Sequence, residues 1–416
     1  MSKEKSLSFN EFFWRCVRVA RRNRLLDLAY IMLDSYLHKK KLIHIKVDSV
    51  EHYCEDHPSD KIVEIEPKKS RPVYEPPYFG LSEGKEYQFI SPSIYVAFLH
   101  NVTALGATGL ILTNESLLCD MMKYDETHRI DFRSGPIKRK EYDKAWVEMN
   151  QDVLEIEKAI NLCGTASTNY YHFTVEILSR LGYVNQLAEA DGVPVLIDEE
   201  IRMYPQLEQL LQVINSDRKV IYVPHGTCIR ACLLIQPSMN TWMPFNVKSR
   251  EMFKISDNLL ARSGLTNIRS CVQQYLKEQT SRKIFISRKN SHTLRVANEN
   301  KIIPLFEAAG FEIVFTETLD YVEQIGLFST AKCVVGASGA ALTNILYCHP
   351  GTIVGCIIPQ EYDFCIYSTM AYLLGCKLLF FNPDITYRGT CIGEDNYEID
   401  ERQCEKYIQE IIKMCI

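Results

Sequence analysis

From Arg282 to Pro359, short apolar runs alternate with helix-like stretches at a steady spacing, and nothing else in the chain constrains its fold as strongly. Lys283–Ser287, Phe311–Phe315, Cys333–Val335 and Thr352–Ile358 read as strands. Between them lie helical patterns over Asn298–Ala309, stopped by Gly310, and over Asp320–Ser329. Pro304 predicts a late start or a kink in the first of these. Alternation of this kind builds parallel βα units, and a Rossmann-like sheet takes its ligands at the C-terminal edge of its strands. The loop Gly336–Asn344 leaves one such edge and enters a helix. Its small residues let backbone N–H groups approach an anion, to which a helix N-terminus adds partial positive charge.

The preceding half predicts a related α/β pattern. Ser93–Leu99 and Gly109–Thr113 read as strands, followed by a helix over Asn169–Ala190 and a strand at Pro194–Ile197. A helix at Pro205–Val213 and a strand at Val220–Val223 complete it. Residues 42–80, with Pro67, Pro72, Pro76 and Pro77, read as one strand and an irregular connection. Residues 121–150 read as an exposed charged excursion, and 240–265 as a hinge leading into a helix that ends near Thr280. A length of 416 residues exceeds one compact core. The expected division is a segment 1–41, an N-terminal domain 42–250 and a C-terminal domain 251–416.

Charge is uneven along the chain. Residues 1–41 hold ten Lys/Arg against four Asp/Glu, a local +6, which leaves −11 on the remainder of a chain with net charge −5. That balance argues against nucleic acid as a partner. Within Phe12–Lys41, arginines at 15, 18, 21, 22 and 24 interleave with Phe12, Phe13, Trp14, Val17 and Val19. This predicts a basic amphipathic helix suited to an anionic membrane surface. Fifteen cysteines without a Cys-x-x-Cys pair, and no signal peptide, predict free thiols and a cytoplasmic location, peripheral at the inner face of the membrane. No apolar run is long enough to span a bilayer.

Three constellations carry candidate chemistry. Asn169, His172, Glu176 and Arg180 fall in one stripe at helical spacing. An imidazole and a carboxylate four residues apart orient one another as a general base requires, although the same pair also suits an ordinary half-buried helix. Ser287-Arg288-Lys289, with His292, Arg295 and Asn298-Glu299 behind, puts basic groups just past a strand end, where a guanidinium matches phosphate oxygens bidentately. The third is Ser338-Gly339-Ala340 with Thr343 and Asn344. It lacks the lysine of a Walker A loop and the full Gly-x-Gly-x-x-Gly of dinucleotide binders, and Thr343 and Asn344 also suit helix capping. No metal site is expected. Asp198-Glu199-Glu200 reads as a solvated helix start and Glu398-Ile399-Asp400 as a polar turn, so Arg288, Lys289 and the loop amides are the alternative source of charge neutralisation.

Three stretches together resemble glycosyltransferase family 61, whose members serve in capsular polysaccharide synthesis: Asn169–Arg180, Ile284–Arg288 with Arg295 and Asn298-Glu299, and Gln324 through Gly339–Asn344. The resemblance covers roughly residues 75–360. It implies a GT-B architecture, two Rossmann-like domains facing a cleft, and metal-independent, inverting transfer from a nucleotide sugar, a UDP-sugar by preference, to a glycan acceptor. No cofactor is implied. By position, Arg288, Lys289, Arg295, Glu299, Ser338, Gly339, Ala340, Thr343 and Asn344 would hold the donor. Glu176 would act as base with His172 orienting it, or His172 would itself be the base, and Asn169 and Arg180 would face the acceptor. Family members usually carry histidine before the Gly-Ala pair, where this chain has Ser338. That departure keeps open a non-catalytic, nucleotide-sugar-binding scaffold of a polysaccharide assembly complex. A GT-B epimerase or hydrolase is a further alternative.

Overall fold

The computed structural model describes residues 42–416 except 126, 133–134, 150–151, 216, 245, 291–294 and 390–391. The basic segment Phe12–Lys41 and His292 therefore lie outside the described residues. In chain order the first strands are β1 (Ile43–Asp48), β2 (Lys61–Glu66), β3 (Lys69–Glu75), β4 (Lys85–Ser91), β5 (Ile94–Leu105), β6 (Ile111–Leu112) and β7 (Ser116–Leu118). There follow β8 (Ile137–Lys140), β9 (Lys144–Val147), β10 (Val153–Asn161), β11 (Val195–Asp198), β12 (Val220–Val223) and β13 (Cys228–Pro237). Apart from β3 and β4, which pair as a separate ribbon, they form an eleven-stranded sheet in the order β12-β11-β10-β13-β5-β6-β7-β1-β9-β8, with β2 on β5.

One end of this sheet is parallel: β10 pairs in parallel with β11 and β13, and β11 with β12. All four residues of β11 and the last three of β10 are buried, as strands covered on both faces require. The chain runs outward from β10 to β11 to β12 and then returns to β13 on the other side of β10. The β10–β13 boundary is thus a topological switch point, where a crevice opens at the carboxyl ends of the strands.

The second sheet is wholly parallel. Its strands are β14 (Arg282–Ile286), β15 (Glu312–Val314), β16 (Ala331–Ala337), β17 (Ile353–Ile357) and β18 (Lys377–Leu378), in the order β15-β14-β16-β17-β18. Its helices come where the sequence predicts them, at Glu299–Ala308 and Tyr321–Ser329. The first begins five residues ahead of Pro304, so no late start occurs. The second is closed by a capping box in which Asp320 accepts from the Glu323 N–H and Glu323 from the Asp320 N–H. The switch point lies between β14 and β16, the strands that deliver Arg288 and Ser338. One continuous buried cluster includes Ile160, Leu162, Val195 and Ile197 from the first sheet region and Ile284, Ile286, Val334 and Val354 from the second.

Two expectations fail for the same reason. Residues 42–80 hold β1, a helix at Val50–Asp56, β2 and β3 rather than one strand and an irregular run. Pro72 is tolerated because β3 belongs to a two-stranded ribbon, where an edge position needs no N–H. Residues 121–150 are no excursion, since β8 and β9 join the large sheet and bury Ile137, Ala145 and Val147. In both stretches, short apolar alternations are hidden between charges.

Candidate active site

The Asn169–Arg180 stripe does not form a regular α-helix. His172–Ile177 is a π-helical turn, Leu178–Arg180 a 3-10 turn, and α-helix resumes at Leu181–Val184. The Leu178 N–H reaches back to the carbonyls of Phe173 and Thr174. Hydroxyls compete for the carbonyl ladder here: Thr174 Oγ1 donates to Tyr170 O (2.6 Å) and Ser179 Oγ to Val175 O (2.6 Å). The helix Arg262–Cys271 packs close by, with Asn267 lying where a side chain at Gly182 would have to go. Local π geometry of this kind recurs at functional sites.

This winding divides the stripe. Asn169 caps the start, its Oδ1 accepting from the Tyr171 N–H at 2.9 Å. His172 Nδ1 and Glu176 Oε2 meet at 2.7 Å. The His172 side chain is 17% exposed and Glu176 only 8%, and Glu176 Oε1 is buried without a hydrogen-bond partner. Arg180 turns inward and does not line the cleft with His172. It is buried and donates to the Pro237 carbonyl at the end of β13 (3.4 Å). Burial pushes its guanidinium down to about 10, against the pull of Glu176.

Across from His172 lies the edge of the second sheet. A cleft of about 330 Å3 is lined on one side by Asn169, Tyr171 and His172 and on the other by Arg295, Ser338, Gly339 and Ala340. Arg288 packs directly on the loop: its Nη1 lies 2.0 Å from where a Cβ on Gly339 would be, so only glycine leaves that guanidinium its place. Burial, and next the neighbouring Arg295, hold Arg288 below its ordinary value. Arg295 Nε is itself buried without a hydrogen-bond partner. Two like charges brought together under partial burial create a place where an anion is favoured.

Other predicted residues lie elsewhere. Lys289 is exposed and does not line the cleft. Glu299 is buried behind the site, its Oε1 accepting from the Arg288 N–H at 2.9 Å, and so positions the arginine. Thr343 and Asn344 are fully buried and cap nothing, because the 3-10 segment Ala340–Tyr347 begins at Gly339, which offers no side chain. Asn344 instead ties the two halves of the site together. It accepts from Tyr170 Oη (2.8 Å) and donates to Gln324 Oε1 (2.9 Å). Asp198 is no solvated helix start: it is buried and accepts from the N–H groups of Ala107 (2.7 Å) and Gly164 (2.9 Å). Asp400 does act as a polar turn, capping the helix Glu401–Cys415.

Sequence reasoning missed one wall of the cleft. Arg250 is held there by Asp395 through two contacts of 2.5 and 2.6 Å, and Asp395 also accepts from the Tyr362 hydroxyl. Met243, Phe253, Phe364 and Tyr367 add an apolar face, with Phe253 and Phe364 stacked at 6.2 Å. Arg250 and Asp395 are 145 residues apart, and neither stands in a recognisable motif. Among the described residues no group of three or more His, Cys, Asp or Glu side chains is placed to hold a metal ion, all described cysteines are free, and no helix is long and apolar enough to cross a membrane.

The order of these parts agrees with a known family: the Glycosyltransferase 61 family model matches residues 170–355, which contain His172, Glu176, Arg288 and the Gly339 loop. Residues 170–355 thus carry a glycosyltransferase 61 domain, and the chain is a glycosyltransferase. No curated protein matches it. The matched region of this glycosyltransferase begins at Tyr170, in the helical segment that carries His172, and ends in β17, just past the loop that Arg288 packs on.

Two measurable consequences concern the frame of this site. Asn344→Ala takes the donor from the Gln324 carbonyl and the acceptor from the Tyr170 hydroxyl, which keeps only a 3.5 Å contact with the Tyr347 hydroxyl inside the core. At about 1–3 kcal/mol for each buried polar group so abandoned, the variant is expected to lose roughly 2–4 kcal/mol in urea unfolding. Glu299 is raised above its ordinary value of 4.5, chiefly by burial and against the hydrogen bond from the Arg288 N–H. A carboxyl whose folded value exceeds its unfolded one stabilises below the unfolded value and loses that contribution as pH rises through the folded one. Glu299→Gln keeps the acceptor oxygen and removes the loss. Its stability relative to the parent is expected to rise as pH increases above the ordinary value of 4.5, as measured by urea midpoints.

Proposed function

We propose that this glycosyltransferase moves a sugar from a nucleotide sugar, a UDP-sugar by preference, to a hydroxyl of a glycan acceptor, with inversion and without a metal. The observation that carries the donor side is the pair of partly buried arginines, Arg288 and Arg295, set beside the Gly339 loop at the β14–β16 switch point. Guanidinium groups there supply the charge that a departing diphosphate needs. The apolar face at Phe253, Phe364 and Tyr367 gives a flat surface for the base or sugar ring. In this reading the halves 42–250 and 251–416 are the two Rossmann-like domains of a GT-B enzyme. The acceptor is a capsular or other surface polysaccharide, met at the inner face of the membrane through residues 12–41.

The base is His172 rather than Glu176. His172 lines the cleft, whereas Glu176 lies behind it, bonded to Nδ1. That hydrogen bond orients the ring and stabilises the imidazolium formed when Nε2 takes the acceptor proton, a division of labour familiar from catalytic triads. Inversion follows from a single displacement, in which the acceptor oxygen attacks the anomeric carbon as the nucleoside diphosphate departs from the opposite face.

Incubation with a panel of nucleotide sugars tests this. UDP release above the uncatalysed rate is expected, undiminished by EDTA, and the proton NMR spectrum of the product should show the opposite anomer. Release of no nucleotide from any donor, retention of configuration, or loss of activity on chelation contradicts the respective part.

A further inference from the structure

A second and larger cavity, about 660 Å3 against 330 Å3, lies at the C-terminal edge of the first sheet. It is enclosed by the loops after β5, β10, β11 and β12, and its polar lining is mostly hydroxyl and backbone: Thr108, Thr165, Ser167 and Thr168. Its charged side chains are matched, Lys138 with Glu148 at 2.8 Å and His225 with Glu200 at 3.2 Å. Unlike the arginine-lined cleft, it offers no surplus of positive charge to a phosphate. Among the described residues that line it there is no Phe, Tyr or Trp to anchor a peptide.

Its loops are held in an unusual form. Among the described residues five non-glycine residues have positive φ, and two of them, Ala107 (59°) and Ala166 (60°), line this cavity. Left-handed backbone at alanine is retained only where the surroundings impose it, and such positions gather at ligand sites. Asp198 anchors both loops, its two oxygens accepting from the N–H groups of Ala107 itself and of Gly164, two residues before Ala166, from one buried carboxylate.

The cavity and the cleft share one loop. Gly164–Thr168 line the cavity, and the next residue, Asn169, lines the cleft together with His172. A ligand occupying both has to run along this loop, longer than the single sugar that receives transfer. We propose that the cavity binds the distal units of an uncharged oligosaccharide acceptor whose terminal hydroxyl reaches His172. This rests on the glycosyl-transfer reading and adds to it that the acceptor is a preformed chain of neutral sugars, not a monosaccharide, lipid phosphate or peptide.

The test is a printed glycan array probed with the labelled full-length chain, beside calorimetric titration with UDP. Two variants fill the cavity, Thr168→Trp from the shared loop and His225→Trp from the exposed rim, where folding is not at stake. Retention of neutral oligosaccharides by the parent is expected, at least tenfold weaker in both variants, with UDP affinity unchanged. Retention of no glycan, of monosaccharides alone or only of charged glycans overturns the proposal, as does undiminished retention in His225→Trp. A parent that binds oligosaccharides but no nucleoside diphosphate would overturn the donor assignment instead, so the two failures are distinct.

Discussion

His172→Ala is expected to lower kcat by about two to four orders of magnitude, the usual contribution of a positioned general base, while leaving the affinity for UDP unchanged. His172 lines the cleft on the side opposite Arg295 and the Gly339 loop, so under the proposed mechanism it would act on the acceptor hydroxyl and add nothing to ground-state donor binding. Glu176→Gln should fall on the same parameter. Glutamine keeps the size of the carboxylate and one acceptor oxygen, but not the charge that stabilises an imidazolium. Donor hydrolysis compared with transfer sharpens the assignment. If His172 is the base toward a glycan hydroxyl, both variants lose transfer in kcat at saturating donor. A His172→Ala enzyme with normal kcat and raised KM would make the residue a binding group, and Glu176→Gln more damaging than His172→Ala would return the base to the carboxylate.

Arg288→Ala carries the second large effect, about 10²–10³ in kcat, the magnitude seen when one preorganised donor to developing negative charge is removed. UDP affinity should fall with it, because the guanidinium meets diphosphate in the ground state as well as in the transition state. Arg288→Lys is not expected to rescue activity, since an ammonium cannot reproduce the planar fork that lies against the loop at Gly339. Gly339→Ala probes the same contact from the other side, as its Cβ would displace Arg288 Nη1 without removing any charge. Both parameters should then move in the direction of Arg288→Ala, by a smaller amount. Steady-state kinetics and calorimetry decide, and full activity in Gly339→Ala would remove the Arg288 contact from the mechanism.

What could be read along the chain was whatever depends on neighbours in sequence. The parallel βα order of residues 282–358 was legible because strand and helix periods differ and each element carries its own pattern, down to the capping box at Asp320 and Glu323. The pairing of His172 with Glu176 was legible for the same reason, as four residues make one helical turn. The arginines after β14 and the glycine loop after β16 could each be seen at a strand end.

Only the tertiary structure decided which of these residues face one another. Arg288, Arg295 and the Gly339 loop converge because β14 and β16 are neighbours across a switch point, whereas Lys289 stays exposed. Arg180 and Asn344 carry the same functional groups as any ligand contact, yet packing turns them inward, one to the Pro237 carbonyl and the other to Tyr170 and Gln324. The π turn places His172 in the cleft and Glu176 behind it. Periodicity specifies the face of a helix on which a side chain lies, but what meets that face is set by contacts distant in sequence. Arg250 with Asp395 and the hydroxyl-lined cavity around Asp198 therefore became visible only once the chain had folded.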